Sequence, residues 1–263
     1  MSTQTIVSAL IDTHCHLDFS DFDADRENVL SNCIKLGVQH LVIPAVSAEH
    51  FARTIQCCNA QENLHLALGL HPVFIDQHQP QHLVQLNTEL KKNSAIAVGE
   101  IGLDFYLKNL DKEKQIVFFS KQLIIAKQHQ LPVIIHNRTA HDKCINLLRE
   151  HGVMGGIIHA FNGSLQQARH YIELGFKLGF GGMLTYEHSN KLRNLAKEIP
   201  LEAIVLETDA PDMSVAQHKG QRNSPEYLPY IAQTLAQIRS ESLSIVAQQT
   251  SQNAKEILKL SDS

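Results

Sequence analysis

The run Ala95-Ile-Ala-Val-Gly-Glu-Ile-Gly-Leu-Asp-Phe-Tyr106 decides the fold. Its apolar first half reads as a buried strand, and Glu100 ends that half with a carboxylate that is costly to bury alone. The same design recurs along the chain. His14 and His16 close Ile11-Asp-Thr-His-Cys-His16, His136 closes Leu131-Pro-Val-Ile-Ile-His136, His159 follows Gly155-Gly-Ile-Ile158, and Asp209 follows Ala203-Ile-Val-Leu206. In a parallel α/β protein the C-terminal ends of the strands share one face, so groups distant in sequence meet there. Four imidazoles and two carboxylates at one mouth form a metal site, with room for two ions.

Working outward, strand signals recur at about the spacing of one strand plus its crossover helix. They are Leu10–His16, His40–Val46, Leu64–His71, Ala95–Asp104, Pro132–His136, Gly156–Ala160, Phe176–Gly181 and Ala203–Asp209. Helical periodicity falls between and after them at Asp23–Leu36, Lys112–Gln130, Ser164–Leu174, Pro225–Arg239 and Glu241–Leu260. The expected fold is α/β, a (β/α)8 TIM-type barrel. A doubly wound open sheet is the runner-up, but it would leave the first strand many strand widths from the others that carry ligands. With no linker-like composition break, residues 1–263 are expected to form one domain.

The net charge of −4 provides no general attraction for nucleic acid, so any phosphodiester must be held locally. The five cysteines (Cys15, Cys33, Cys57, Cys58 and Cys144) are odd in number and lack zinc-ribbon spacing. They read as reduced thiols in a cytoplasmic protein. The N-terminal Met1–Asp12 lacks a cationic, apolar leader pattern, and no run is long and apolar enough for a membrane span.

On a strand, His14 and His16 project to one side and Cys15 to the other. Imidazole suits Zn, Mn, Fe or Co better than Mg, which prefers oxygen. Glu100, with two oxygens, is the natural bridge between two ions, and Asp104 is expected to orient a loop or a ligand histidine. Asp209 is expected to bind an ion and accept a proton from water, which makes Glu100 and Asp209 the catalytic carboxylates. Glu207 is either a polar-core partner or a group on the substrate side. His71 in Gly69-Leu-His-Pro72 ends the third strand at the same mouth. Arg138 either holds a phosphate oxygen through its planar fork or serves a structural ion pair. Asn162 and Arg222 lie in loops after strands six and eight, where substrate is expected to bind. His40, His50, His65, His78, His82, His129, His151, His170 and His188 are expected to be solvated.

Taken together, the segments DTHCHLDF, GLHP, VGEIGLDFY, LPVIIHNR, HAFNGS, LGFGG, LETDAP and RNSPEYL resemble the TatD family of metal-dependent hydrolases, and in particular its YjjV-like branch. The resemblance spans nearly the whole chain. It implies an amidohydrolase-like barrel with a binuclear centre on His14, His16, Glu100, His136, His159 and Asp209. It also implies a deoxyribonuclease, commonly a 3′→5′ exonuclease, acting on DNA ends or single-stranded nucleic acid. The rival reading keeps the site and hydrolyses a small ester, amide or phosphoester. A cationic wall would favour phosphate, and a small apolar pocket the rival. No obligate protein partner and no membrane association are expected.

Overall fold

A computed structural model describes residues 9–153 and 155–260. Most of the N-terminal segment read for a leader, and both ends of the 1–263 domain, lie outside them. The described residues contain eight parallel strands: β1 Leu10–Asp12, β2 Val38–Pro44, β3 Leu64–Leu68, β4 Ala97–Asp104, β5 Val133–Arg138, β6 Gly156–Ile158, β7 Phe176–Phe180 and β8 Ile204–Leu206. They are ordered β1 to β8 with each strand beside the next in sequence. The ring closes through backbone bonds from Thr13 N–H to Leu206 O (3.0 Å), Asp209 N–H to His14 O (2.9 Å) and His16 N–H to Ala210 O (2.8 Å). This is a single α/β domain built on a barrel, and the open-sheet alternative is excluded.

Between the strands run α1 Arg26–Lys35, α2 Phe51–Cys58, α3 Pro80–Lys92, α4 Lys112–His129, α5 His141–His151, α6 Leu165–Glu173 and α7 Asn190–Glu198, followed by α8 Leu228–Arg239 and α9 Leu243–Leu258. Their apolar faces pack on the outside of the barrel in one continuous core, in which Phe22, Phe119, Tyr171 and Phe176 are sealed from solvent. A second, inner layer takes one side chain from each of seven strands: Ile11, Val42, Ala67, Ala97, Ile134, Ile157 and Val205. Ala254 and Leu258 of α9 pack onto that layer, so the floor of the barrel is apolar and the opposite end is left for chemistry. Among the described residues no helix is long and apolar enough to cross a membrane.

Several strands are shorter than their sequence patterns. β1 ends at Asp12, β6 at Ile158 and β8 at Leu206. His14, His16, His159 and Asp209 therefore stand on loop backbone just past the ladder. Asp12 is one cause: it is fully buried, and its carboxylate accepts from His14 N–H (3.2 Å), Thr208 N–H (3.0 Å) and the Thr208 hydroxyl (2.6 Å). These bonds replace ladder bonds and tie the two mouth loops together. β5 is longer than expected, and its Arg138 pairs in register with Asp104.

Candidate metal centre

Glu100 sits at the middle of the mouth with 3% of its side chain exposed, and its two oxygens face different imidazoles. Oε2 is 3.1 Å from His14 Nε2 and 3.7 Å from His16 Nε2. Oε1 is 3.2 Å from His136 Nδ1 and 3.1 Å from His71 Nε2. Asp209 completes the ring from the other side. Its Oδ1 lies 3.8 Å from His14 Nε2 and 3.6 Å from His16 Nε2, and its Oδ2 lies 3.5 Å from His159 Nε2. Three overlapping groups have ligand atoms close enough for one ion each: His14–Glu100–His159, His14–His16–Asp209 and His71–Glu100–His136.

The donor set fits a cation. His16 Nδ1 lies 3.2 Å from the Pro44 carbonyl, which can only accept, so the proton is on Nδ1 and the Nε2 lone pair faces inward. That Nε2 is 3.3 Å from His14 Nε2 and close to carboxylate oxygens, so lone pairs outnumber protons in a buried space. Such an array is satisfied by a positive ion at its centre.

Further carboxylates hold the rings. Asp104 Oδ2 accepts from His136 Nε2–H at 3.0 Å, while its Oδ1 accepts Tyr106 N–H (3.0 Å) and Leu107 N–H (3.2 Å). It thus orients both a histidine and a loop. Glu207 is fully buried; its Oε1 is 3.0 Å from His159 Nδ1 and accepts Ala160 N–H at 2.6 Å. The open choice for Glu207 resolves to the polar core, where its carboxylate lies beside the His159 ring. Gly179 makes room for it, since a Cβ there would collide with the Glu207 carboxylate.

Burial and charge pull against each other throughout. Burial opposes ionisation of Glu100, yet the His71 and His14 imidazoles hold its carboxyl well below the usual range. Burial likewise disfavours the Asp209 carboxylate, but His159, then His14 and His16, bring it down to about 2. Burial lowers His14 and His71. For His159 the carboxylates of Glu207 and Asp209 override burial and raise it well above normal, and Asp104 and Glu100 likewise raise His136. Backbone strain gathers here too, with Thr139 (φ 61°), Ala160 (φ 44°), Asp209 (φ 57°) and Met213 (φ 53°) all in mouth loops.

Above the ligands is a cavity of about 570 Å³. Phe19, Phe74, Phe161, Phe180, Met183 and Leu192 supply much of its wall, with Asn137, Asn162, Arg138 and Asp212 as the polar additions. Arg138 stacks on the Tyr106 ring with its guanidinium carbon 3.7 Å from the centroid. Among the described residues no carboxylate pairs with it, so the ion-pair alternative for Arg138 has no partner. His71 faces the cavity, and its Nδ1 accepts Val73 N–H at 3.1 Å, which puts the ring proton on Nε2.

Three of the expectations differ from the structure. Arg222 does not line the cavity. Its guanidinium grips Asp25 at 2.7 and 2.8 Å and lies over Phe22, because the loop after β1 offers it a bidentate carboxylate at Asp25 and the Asp21 backbone carbonyl. His78 is buried rather than solvated, and donates from Nε2 to His71 O at 2.9 Å. His40 and His65, also expected to be solvated, are half-buried against each other with ring nitrogens 3.0 Å apart. His141 escaped the sequence reading. It is buried behind the cavity wall between Tyr171 and Asn162. Its place at the start of an amphipathic helix resembled that of a surface residue.

Known proteins match along the chain. The model of the TatD-related DNase family covers residues 11–259. The uncharacterized metal-dependent hydrolase YjjV of Escherichia coli (strain K12) is 40% identical over 246 residues, which is 92% of this chain and 95% of that protein. An uncharacterized metal-dependent hydrolase of Haemophilus influenzae is 38% identical over 257 residues, covering 94% and 98%. The crystal structure of the E. coli YjjV protein superposes with a TM-score of 0.92 over 96% of this chain and 98% of that one. A family model spanning almost the whole barrel, joined to a buried His/Glu/Asp centre at its mouth, makes this chain a member of the TatD family of metal-dependent hydrolases.

Proposed function

We propose that the protein is a phosphodiesterase acting on the ends of single-stranded DNA, with two divalent ions held by His14, His16, Glu100, His136, His159 and Asp209. The observation that carries this is Glu100, whose two oxygens serve opposite imidazole clusters as a bridging carboxylate would. Imidazole-rich ligation favours Zn, Mn or Co over Mg. Divalent ions in such a site polarise a phosphoryl oxygen, acidify a water molecule and stabilise the leaving oxygen.

The chain's own groups do the rest. Asp209 has 16% of its side chain exposed against 3% for Glu100, so it is the carboxylate that an attacking water can reach to give up its proton. The Arg138 fork on the cavity wall is a cationic donor for phosphoryl oxygens, whereas His71 Nε2–H is engaged with Glu100 Oε1 at 3.1 Å and orients that carboxylate. The family model, named for DNases, supports the nuclease reading. The cavity supports an end rather than a mid-chain segment, because its aromatic walls can stack a base and, among the described residues that line it, Arg138 is the one Lys or Arg side chain for a backbone phosphate. Five free thiols suit a reducing cytoplasm.

The same apolar wall favours a second reading, a small ester, amide or phosphoester as substrate. The test is hydrolysis by Mn- or Zn-loaded protein of linear single strands, circular single strands, duplex DNA, RNA and small esters. End shortening of linear strands with circles left intact is expected. Turnover of small esters alone would replace the first reading with the second.

A further inference from the structure

From Asn137 in the cavity wall a chain of hydrogen bonds runs back into the protein, anchored at one end. Asn137 is buried, and its Oδ1 accepts Ala140 N–H at 3.2 Å, which fixes the orientation of its amide. The Asn137 NH2 therefore donates to the Tyr171 hydroxyl at 3.1 Å. That hydroxyl oxygen is also 3.2 Å from His141 Nδ1. Two other acceptors compete for its proton: the His141 carbonyl, farther away at 3.4 Å and already facing the helical N–H four residues on, and the sulfur of Cys144, which is a weak acceptor. The hydroxyl proton thus goes to His141 Nδ1, and the ring carries its own proton on Nε2. His141 Nε2 is 3.2 Å from Asn162 Oδ1 and donates to it. Each step follows from the one before it, beginning at a backbone N–H that can only donate.

The relay ends on a residue that lines the cavity. With Oδ1 occupied by His141, Asn162 has its NH2 left over, and no partner for it occurs among the described residues. Lys191 Nζ donates to the Asn162 carbonyl at 2.7 Å, and the Ser164–Gln167 capping box fixes the start of α6 two residues on. The backbone is therefore held, and the side chain has one preferred face to offer.

We propose that Asn162 is a dedicated hydrogen-bond donor to an acceptor oxygen of the substrate, and that His141 is the positioning residue that sets its direction. On the proposed function, on which this inference rests, the acceptor is a non-bridging oxygen of a phosphoester. An asparagine free to turn would present its own oxygen half the time and repel that group. The relay is buried while Asn162 is exposed, so the orienting force is protected from water where the binding group is not.

The experiment has an arm that does not depend on turnover. Two-bond proton–nitrogen correlation spectra of the 15N-labelled, Zn-loaded protein should show His141 protonated on Nε2. Protonation on Nδ1 would reverse the relay and overturn the proposal. Titration with inorganic phosphate should shift the Asn162 side-chain NH2 resonances, and their indifference at saturating phosphate would also overturn it. For hydrolysis of bis(p-nitrophenyl) phosphate, His141→Phe should raise KM about tenfold with kcat little changed, the effect of one lost charge-assisted bond. His141→Gln, which can accept from Tyr171 and donate to Asn162, should restore it. Asn162→Ala should raise KM equally, and the double variant should show no further rise. Additive effects would overturn the relay. If the wild type leaves every phosphoester intact, the phosphodiesterase reading fails while the tautomer and the phosphate titration still decide this one.

Discussion

Asp209 stands at φ 57° with part of its carboxylate open to the cavity, whereas Glu100 is sealed between imidazoles. Their fates on amidation should differ accordingly. Asp209→Asn keeps one oxygen for the ion but cannot take a proton, so kcat should fall by about 10²–10⁴-fold. Saturating metal should not restore the rate; full recovery at high metal would reduce Asp209 to a ligand. Asp104 offers a second residue-level test. Its Oδ1 serves two backbone N–H groups and its Oδ2 serves His136, so Asp104→Asn must set an NH2 against the His136 N–H or abandon the loop. Metal affinity should weaken by about 10–100-fold in a chelator competition. Unchanged affinity would show that the ring is held by packing alone.

At the scale of elements, the strands were legible because β-branched and aliphatic runs such as Val133–Ile135 and Ile204–Leu206 recur at βα spacing. Their exact ends were not. Asp12 takes hydrogen bonds that a longer β1 and β8 would have made, and no pattern of apolar residues records that exchange. The ligand types were visible as polar residues ending apolar runs. The fate of Arg222 was not, since it depends on Asp25, some two hundred positions earlier, which only the fold brings near. The join between β7 and β8 gives a prediction. Gly179→Ala would drive a methyl into the Glu207 carboxylate and, through it, His159. A loss of about 1–3 kcal/mol in stability is expected, together with weaker metal binding, read by denaturant unfolding and metal titration of the same variant. Wild-type values for both would mean that β7 can move away freely.

Across the whole molecule, the two ends of the barrel should titrate separately. At the end opposite the metal centre, near the start of β3, His65 lies 3.0 Å from His40, and burial, then His40, pull it down from 6.5 to about 4. Its folded pKa is depressed, so the unfolded chain takes up the proton first. The stability it contributes is intact above about 6.5 and is lost as pH falls toward about 4. His65→Gln should flatten that part of the stability–pH curve in urea unfolding, and an unchanged slope would contradict the assignment. At the metal end, chelation should abolish hydrolysis while circular dichroism stays native, because both apolar layers of the core lie outside the centre. The central claim is that Glu100 joins two ions into one hydrolytic site. Metal content per chain, measured with rate on the same samples of wild type and Glu100→Gln, tests it most directly. The structure leads us to expect two ions in the wild type, with fewer ions and a rate lower by orders of magnitude in the variant; equal content and equal rate in both would contradict it.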